Sequence, residues 1–329
     1  MSTQENIASV ANETKVPQGL LATALSSHGA NTSTARNQRT LRGQAQCTGV
    51  GVHSGEKATL RLLPADIDTG IVFLRTDLKN GARTISARWD FSIETQLCTQ
   101  IGNGQGGKVS TIEHVMAALS AAGIDNATIE VDGPEVPIMD GSADPFVFMI
   151  EMAGIVEQKA PCREIIIRQP VLFESNGKRV SLLPSDERIF DVSISFDRKL
   201  IQNQHYVFSL EAEGFKSEIS RARTFGFFED VEKMTKLGFM RGGSLENAVV
   251  VKGDEIMNEG GLRYENEFVR HKLLDAVGDI AMAGHPIRGR YEGVCPGHAM
   301  NNQLLRALFA NEAAWEWSQP AQETAPLSA

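Results

Sequence analysis

The chain is short of several things, and each shortage removes a class of function. Its 329 residues include four cysteines, Cys47, Cys98, Cys162 and Cys295. They are scattered and form no C-x-x-C pair, so neither a disulfide framework nor a zinc-finger set is expected, and a reducing cytoplasm suits them. No apolar run approaches the roughly 20 residues of a membrane span, so no integral membrane segment is expected. The start, "MSTQENIASVANETK", lacks a basic stretch followed by an apolar core and does not read as a secretory signal. Positive charge is scarce as well. A net charge of −9 argues against a nucleic-acid partner, which needs a basic surface for phosphates.

What is present is the make-up of a soluble globular protein, 42% apolar and 22% charged. The length suits one large domain or two ordinary ones. Residues 1–37 are rich in Ser, Thr, Asn, Gln and Ala and read as a flexible tail, and residues 318–329 as another. From Gln38 the pattern changes. "EKATLRLLPA" and "TGIVFLRTDL" alternate like strands, "STIEHVMAALSAAG" has helical periodicity, "ATIEVDG" is a strand and "SADPFVFMIEMAGI" a helix. After "EQKAPCR" a second series begins. "EIIIRQP", "RVSLLP" and "IFDVSISFD" are strand-like, "FFEDVEKMTKLG" is a short helix, and "NAVVV" is a strand. "ENEFVRHKLLDAVGDIAMAG" is a long helix, "IRGRYEGV" a strand, and "HAMNNQLLRALFANEAAW" the last helix. Two consecutive α+β domains are expected, 38–160 and 161–317.

"GNGQGGKV" at 102–109 imitates a phosphate-binding loop, but Val109 stands where that loop needs a magnesium-binding hydroxyl. A hairpin is the plainer expectation, and a nucleotide-binding switch is the weaker rival function. A scaffold that uses a metal only structurally is a second rival. "GVGVHSG" has glycines in the wrong order for a dinucleotide fingerprint.

More informative are the histidines that have carboxylates near them. In "FVRHKLLDAVGD", His271, Asp275 and Asp279 fall within an arc of about 80° on a helix. On an exposed face such a pair is a minor helix stabiliser. Phe268, Leu274, Val277 and Ile280 suggest that the helix is buried, and buried carboxylates need a cation. In "STIEHV", Ser110 and Glu113 match a capping box, which gives Glu113 a purely structural reading. His114 follows it at a helix start, whose dipole keeps an imidazole neutral and able to ligate metal. Together His114, His271 and Asp275 make a three-ligand set with one place open, the arrangement of catalytic zinc. His298, after the Pro-Gly turn of "CPGHAMNNQ", is either incidental or a second acid-base group opposite Glu113, with Asp279 holding its ring. Cys98 precedes His114 by 16 residues and reads as a buried, inert thiol.

Six blocks in order, "TGVGVHSGEK", "STIEHVMAAL", "PIMDGSADPF", "SRARTFGF", "GLRYENEFVRHKLLDAVGD" and "GHAMNNQLL", resemble the UDP-3-O-acyl-N-acetylglucosamine deacetylase family of bacterial lipid A synthesis. The likeness runs from about Gln38 to Trp317. It implies two similar domains, each a β-sheet layer with two helices, packed as a β-α-α-β sandwich. It also implies a monomer working in the cytoplasm, transiently at the inner membrane surface. The implied substrate is a UDP-linked, 3-O-acylated N-acetylglucosamine, and the implied cofactor is zinc, with iron(II) as an alternative occupant.

Carried to matching positions, the metal ligands are His114, His271 and Asp275. Glu113 is the general base and His298 the protonated partner, supported by Asp279. Thr224 meets the oxyanion region and Lys272 the sugar or phosphate side. Phe196, Phe225, Asp230 and Lys178 match the nucleotide end. An insert implied to form the acyl channel offers Val231, Met240, Leu245 and Val250. An amidase acting on another N-acyl substrate remains the alternative within the same chemistry.

Overall fold

Residues 36–93, 97–196, 199–236 and 238–318 are described by the structure, a computed structural model. Both expected terminal tails lie outside these residues, apart from Arg36, Asn37 and Ser318.

The first half opens with strands β1 (Asn37–Leu41), β2 (Ala45–Val50), β3 (Lys57–Pro64), β4 (Ile71–Arg75) and β5 (Thr84–Ser86). Three short strands follow, β6 (Ser92–Ile93), β7 (Gln100–Gly102) and β8 (Lys108–Ser110), then helix α1 (Glu113–Ala122), β9 (Ala127–Val131) and helix α2 (Asp144–Ala153). Strands β2, β3, β9, β4 and β5 form one sheet in that order. Alternation puts Leu60, Leu62, Phe73, Ile129 and Val131 on its buried side, because successive side chains of a strand point to opposite faces. β10 (Ile155–Pro161) runs back antiparallel to β1.

A seven-stranded sheet follows, made of β11 (Ile165–Ile167), β12 (Val171–Ser175), β13 (Lys178–Leu183), β14 (Arg188–Ile194), β15 (Gln204–Ser209), and two late strands, β19 and β20. Its helices are the short α3 (Ala212–Gly214), α4 (Phe228–Lys236), α5 (Glu267–Ala281) and α6 (His298–Ala310). β16 (Phe225–Phe227), β17 (Val249–Lys252) and β18 (Glu255–Ile256) form a small separate sheet flanked by α4. β19 (Ile287–Val294) is the spine of the larger sheet, pairing with β11, β13 and β14, and β20 (Trp315–Trp317) pairs with β11. The fold class is mixed α+β, and α2 lies on β2, α5 on β14 and β15, and α6 on β12 and β13.

The closest helix pairing is between α1 and α5. Gly278 makes it possible. A Cβ at that position would lie 2.0 Å from the carbonyl oxygen of Glu113, so only glycine lets the two backbones approach this far. The helix pair therefore brings the first turn of α1 against the middle of α5.

Two expectations change here. The expected capping box does not form. Ser110 belongs to β8 and its hydroxyl accepts from Gln100 at 2.5 Å, while α1 begins without a side-chain cap. Sheet pairing has taken the serine that the local pattern assigned to the helix. The last helix also stops at Ala310 rather than running to Trp315, and the chain re-enters the sheet as β20. "GNGQGGKV" is the hairpin between β7 and β8, with no helix at its end to receive phosphate. No described helix is long and apolar enough to cross a membrane.

Candidate metal centre and active site

Three side chains from α1 and α5 converge at the helix contact. His114, His271 and Asp275 are buried, and their donor atoms lie within 4.8 Å of one another. Asp275 Oδ1 is 3.6 Å from His114 Nε2 and 3.2 Å from His271 Nε2. A tetrahedral shell with donors at about 2.0–2.2 Å from a cation spaces those donors by roughly 3.3 Å, so the set fits one divalent ion.

Tautomers agree with that fit. His271 Nδ1 lies 3.0 Å from the Ala222 carbonyl oxygen, which can only accept, so the proton sits on Nδ1 and the Nε2 lone pair faces the site. Burial lowers the pKa of His114, which keeps that ring neutral as a ligand must be. Burial alone would raise Asp275, but the positive charge of the neighbouring Lys272 ammonium opposes it and holds the carboxyl below the usual range. Lys272 Nζ donates to Asp275 Oδ2 at 2.8 Å, which leaves Oδ1 toward the histidines. The structure thus places this ammonium on the carboxylate of Asp275, and 5.9 Å from the Phe225 ring centroid.

Glu113 stands beside His114 in the first turn of α1 and is buried. Its Oε2 accepts from the Thr99 backbone N–H at 3.1 Å, and its Oε1 lies 3.8 Å from His298 Nε2. Burial, with Asp275 and Asp279 adding to it, pushes Glu113 up to about 7 despite the opposing charge of His298. Across from it, burial would lower His298. The Asp279 and Glu113 charges outweigh that and raise it to about 9.

The reason Asp279 can do this is that it is fully occupied. It meets His298 Nδ1 at 2.9 Å, the Thr99 hydroxyl at 2.5 Å and Asn301 Nδ2 at 2.8 Å, and Asn301 in turn accepts from Tyr291. A carboxylate receiving that many donors holds the imidazole in one orientation.

A chain with this centre falls within one family. The family model described as UDP-3-O-acyl N-acetylglycosamine deacetylase matches residues 38–310. The chain belongs to the UDP-3-O-acyl-N-acetylglucosamine deacetylase family. A deacetylase of that name from Vibrio parahaemolyticus is 47% identical over 288 residues, covering 87% of this chain and 94% of the relative. One from a Shewanella species is 49% identical over 281 residues, 85% and 92% of the two chains. One from Acidithiobacillus ferrooxidans is 47% identical over 293 residues, 88% and 96%. Membership makes this chain an amide hydrolase, and the deacetylase family is one of lipid A biosynthesis.

The remaining candidate residues of this deacetylase-family chain fall in two places. Thr224 is half-buried, its backbone tied to Gly141 and Val249. Phe225 packs edge-on against Phe268 and Phe196, with ring centroids 4.9 and 6.0 Å apart, and 6.3 Å from the His271 ring. Val231, Met240, Leu245 and Val250 all belong to the segment around β16, α4 and β17. Val250 is buried there, Leu245 is 47% exposed, and Val231 and Met240 pack toward Gly226. Asp230 faces solvent beside Lys233, and Lys178 is exposed in the β12–β13 hairpin. Cys98 is buried, and burial, then Glu113, pushes its thiol up to about 12, so it stays protonated.

Several groups carried no signal in the sequence. Thr99 and Asn301 serve the site from a loop and from α6, and only tertiary contact reveals them. Buried Glu135 accepts the backbone N–H groups of His53 and Ser54 at 2.9 and 2.8 Å and the Thr111 hydroxyl at 2.9 Å. It thereby fixes the glycine-rich loop of His53, whose half-buried ring feels the charge of His298. Arg223 and Glu267 form a second buried pair. The carboxylate accepts from Arg223 N and Nε and from Arg263 N at 2.6–3.0 Å. This pins the strand-like stretch that carries the Ala222 carbonyl.

Proposed function

We propose that the chain hydrolyses the N-acetyl amide of UDP-3-O-(3-hydroxyacyl)-N-acetylglucosamine, releasing acetate and the free amine, as a zinc enzyme. The observation that carries this reading is the His114, His271 and Asp275 triplet with a raised Glu113 beside it and a raised His298 opposite. Zinc held there, or iron(II) in its place, supplies a Lewis acid for the acetyl carbonyl and makes water acidic enough to be activated near neutral pH.

The protein's own groups do the proton work. Glu113, ionised, takes a proton from the attacking water as its oxygen bonds to the acetyl carbon. His298, protonated, faces the developing oxyanion and delivers a proton to the nitrogen as the C–N bond breaks. Asp279 keeps His298 charged and aimed, and Thr99 keeps Asp279 and Glu113 in place. Thr224 lies toward the oxyanion side, and Lys272 toward the sugar or phosphate once a cation competes for Asp275.

The acyl chain runs along the segment of β16, α4 and β17, where Val231, Met240, Leu245 and Val250 line it. The nucleotide end takes Phe196, Phe225, Asp230 and Lys178. This reading goes with two similar domains, 38–160 and 161–317, packed as a β-α-α-β sandwich whose junction is the α1–α5 contact. The enzyme acts as a monomer in the cytoplasm, transiently at the inner membrane surface.

The test is deacetylation of the UDP substrate with and without a chelator, followed by zinc readdition. Turnover should vanish and return while circular dichroism hardly changes. Turnover that survives full metal removal would refute the reading, and unfolding on chelation would favour a structural metal.

A further inference from the structure

A second cavity lies on the far side of the α1–α5 contact from the metal centre, with Met116 and Val277 between the two. It has a volume of about 710 Å³ and opens where the C-terminal halves of α1 and α5 meet β4, β20 and the chain before β19. Ser120 of α1 and Ala281 of α5 belong to its wall, and Ser120 is six residues, or about 9 Å, along the helix from His114. The size is that of a small-molecule site.

Its chemistry is unbalanced. Four arginines line it, Arg36, Arg88, Arg163 and Arg188, against two carboxylates, Asp68 and Asp125. Both carboxylates are already engaged within the wall. Asp125 binds the Arg36 guanidinium through both oxygens at 2.6 and 2.8 Å, and Asp68 accepts from Gln38 at 2.7 Å. Arg88 is paired with Asp90, and Arg163 stacks over the Trp317 ring at 4.1 Å.

Among the described residues Arg188 has no such partner: its side chain donates to the neutral Ser120 hydroxyl at 3.1 Å, and its buried Nε meets no acceptor. The residue is half-buried, and a buried guanidinium nitrogen with no acceptor is costly. The charges of Glu164 and Asp125 reach it, but neither carboxylate is hydrogen-bonded to it among the described residues. Burial, then the Arg36 charge, pushes it below its ordinary value. Trp315 lines the same cavity with a buried Nε1 that also lacks an acceptor. One part of the wall is flat and apolar, with Trp89 stacked on Phe309 at 5.0 Å and Trp317 edge-on to Trp315, and the remainder is polar, with Ser86, Asn126 and His285 among its residues.

We propose that this cavity is a second ligand site, which takes a small anion with a flat apolar body, an aromatic carboxylate being the simplest case. The carboxylate meets Arg188, and the ring lies among the indoles. All three tryptophans of the chain line the cavity, so occupancy is visible in their fluorescence.

The probe is 2-naphthoate, titrated into the full-length, metal-loaded protein, with neutral 2-naphthamide as control. Naphthoate should quench tryptophan emission saturably and raise the melting midpoint. The amide, and naphthoate with the Arg188→Gln variant, should bind about tenfold more weakly or worse, the usual loss when a charged hydrogen bond is removed. Ala281→Phe, which fills the cavity without touching the arginine, should weaken binding too and decides the matter if Arg188→Gln fails to fold. Deacetylase turnover of Arg188→Gln should match the unaltered protein. No saturable quenching, equal affinity for the amide, or quenching that chelation abolishes would overturn the proposal, the last by placing the probe on the metal.

Discussion

The two ends of the α1–α5 helix pair make opposite use of buried charge. At the metal end, Glu113, Asp275 and Asp279 crowd together, and the surrounding histidines, Lys272, Thr99 and Asn301 satisfy them while leaving donor atoms turned inward. At the other end the excess is cationic, and Arg188 faces open space with one weak partner. Carboxylates gathered this way prepare a place for a cation, and a lone guanidinium prepares one for an anion. The contrast teaches that an incomplete set of partners is as informative as a complete one, provided the missing charge can be named.

The sharpest way to break the metal end is at Glu113. Glu113→Gln should keep the metal and lose about 10²–10⁴-fold in kcat, the range for a positioned acid-base group. Metal analysis alongside steady-state rates checks this, and near-normal turnover would reduce the glutamate to a structural residue. Glu267→Ala should cost about 3–5 kcal/mol of stability, because it strands the Arg223 guanidinium in a buried place. Chemical denaturation measures it, and a loss under 1 kcal/mol would mean that the pair is dispensable.

A smaller effect is expected at Gly278. In an ordinary helix, glycine to alanine would stabilise by about 1 kcal/mol. Here Gly278→Ala should instead destabilise by about 1–3 kcal/mol through overpacking against Glu113, and should lower turnover by moving α1. A more stable, fully active variant would show that the backbones need not approach so closely.

The gentlest probe is pH. In the proposed mechanism Glu113 acts ionised and His298 protonated, so the rate should fall as pH drops through the Glu113 value near 7 and again above about 9. A bound dication lowers both limbs, since it favours the carboxylate and disfavours the imidazolium. Asp279→Asn should bring down the alkaline limb, because it removes the charge that raises His298, and should move the acid limb down by less, since burial is the main cause of the rise of Glu113. An unmoved alkaline limb in the kcat/KM profile would contradict that role.

Much of this was legible in the sequence, for identifiable reasons. The helices α1, α2, α4, α5 and α6 follow apolar periodicity, and β3, β4, β9, β14 and β19 follow alternation or Gly and Pro punctuation. Strands β1, β2, β10 and β20 did not announce themselves. "NQRTL" and "IVEQKAP" are polar edge pairs, and "WEW" only makes sense once its partner β11 is known. The convergence of His271 and Asp275 was readable because both lie on one face of α5. Thr99, Asn301 and Glu135 were not, since their partners are distant in the chain. Gly278 left a trace. A glycine inside a long helical pattern carries a cost that close packing explains.

The carbonyl that orients His271 belongs to Ala222, three residues before Phe225 and the start of the β16–α4–β17 segment. The His271 ring and the segment therefore share one stretch of backbone, and a load on one would turn the other. The Arg223–Glu267 pair sits between them and anchors that stretch to the first turn of α5. It works as a mechanical fuse in reverse: flexing in the segment stops at the anchored arginine, and the imidazole keeps its aim.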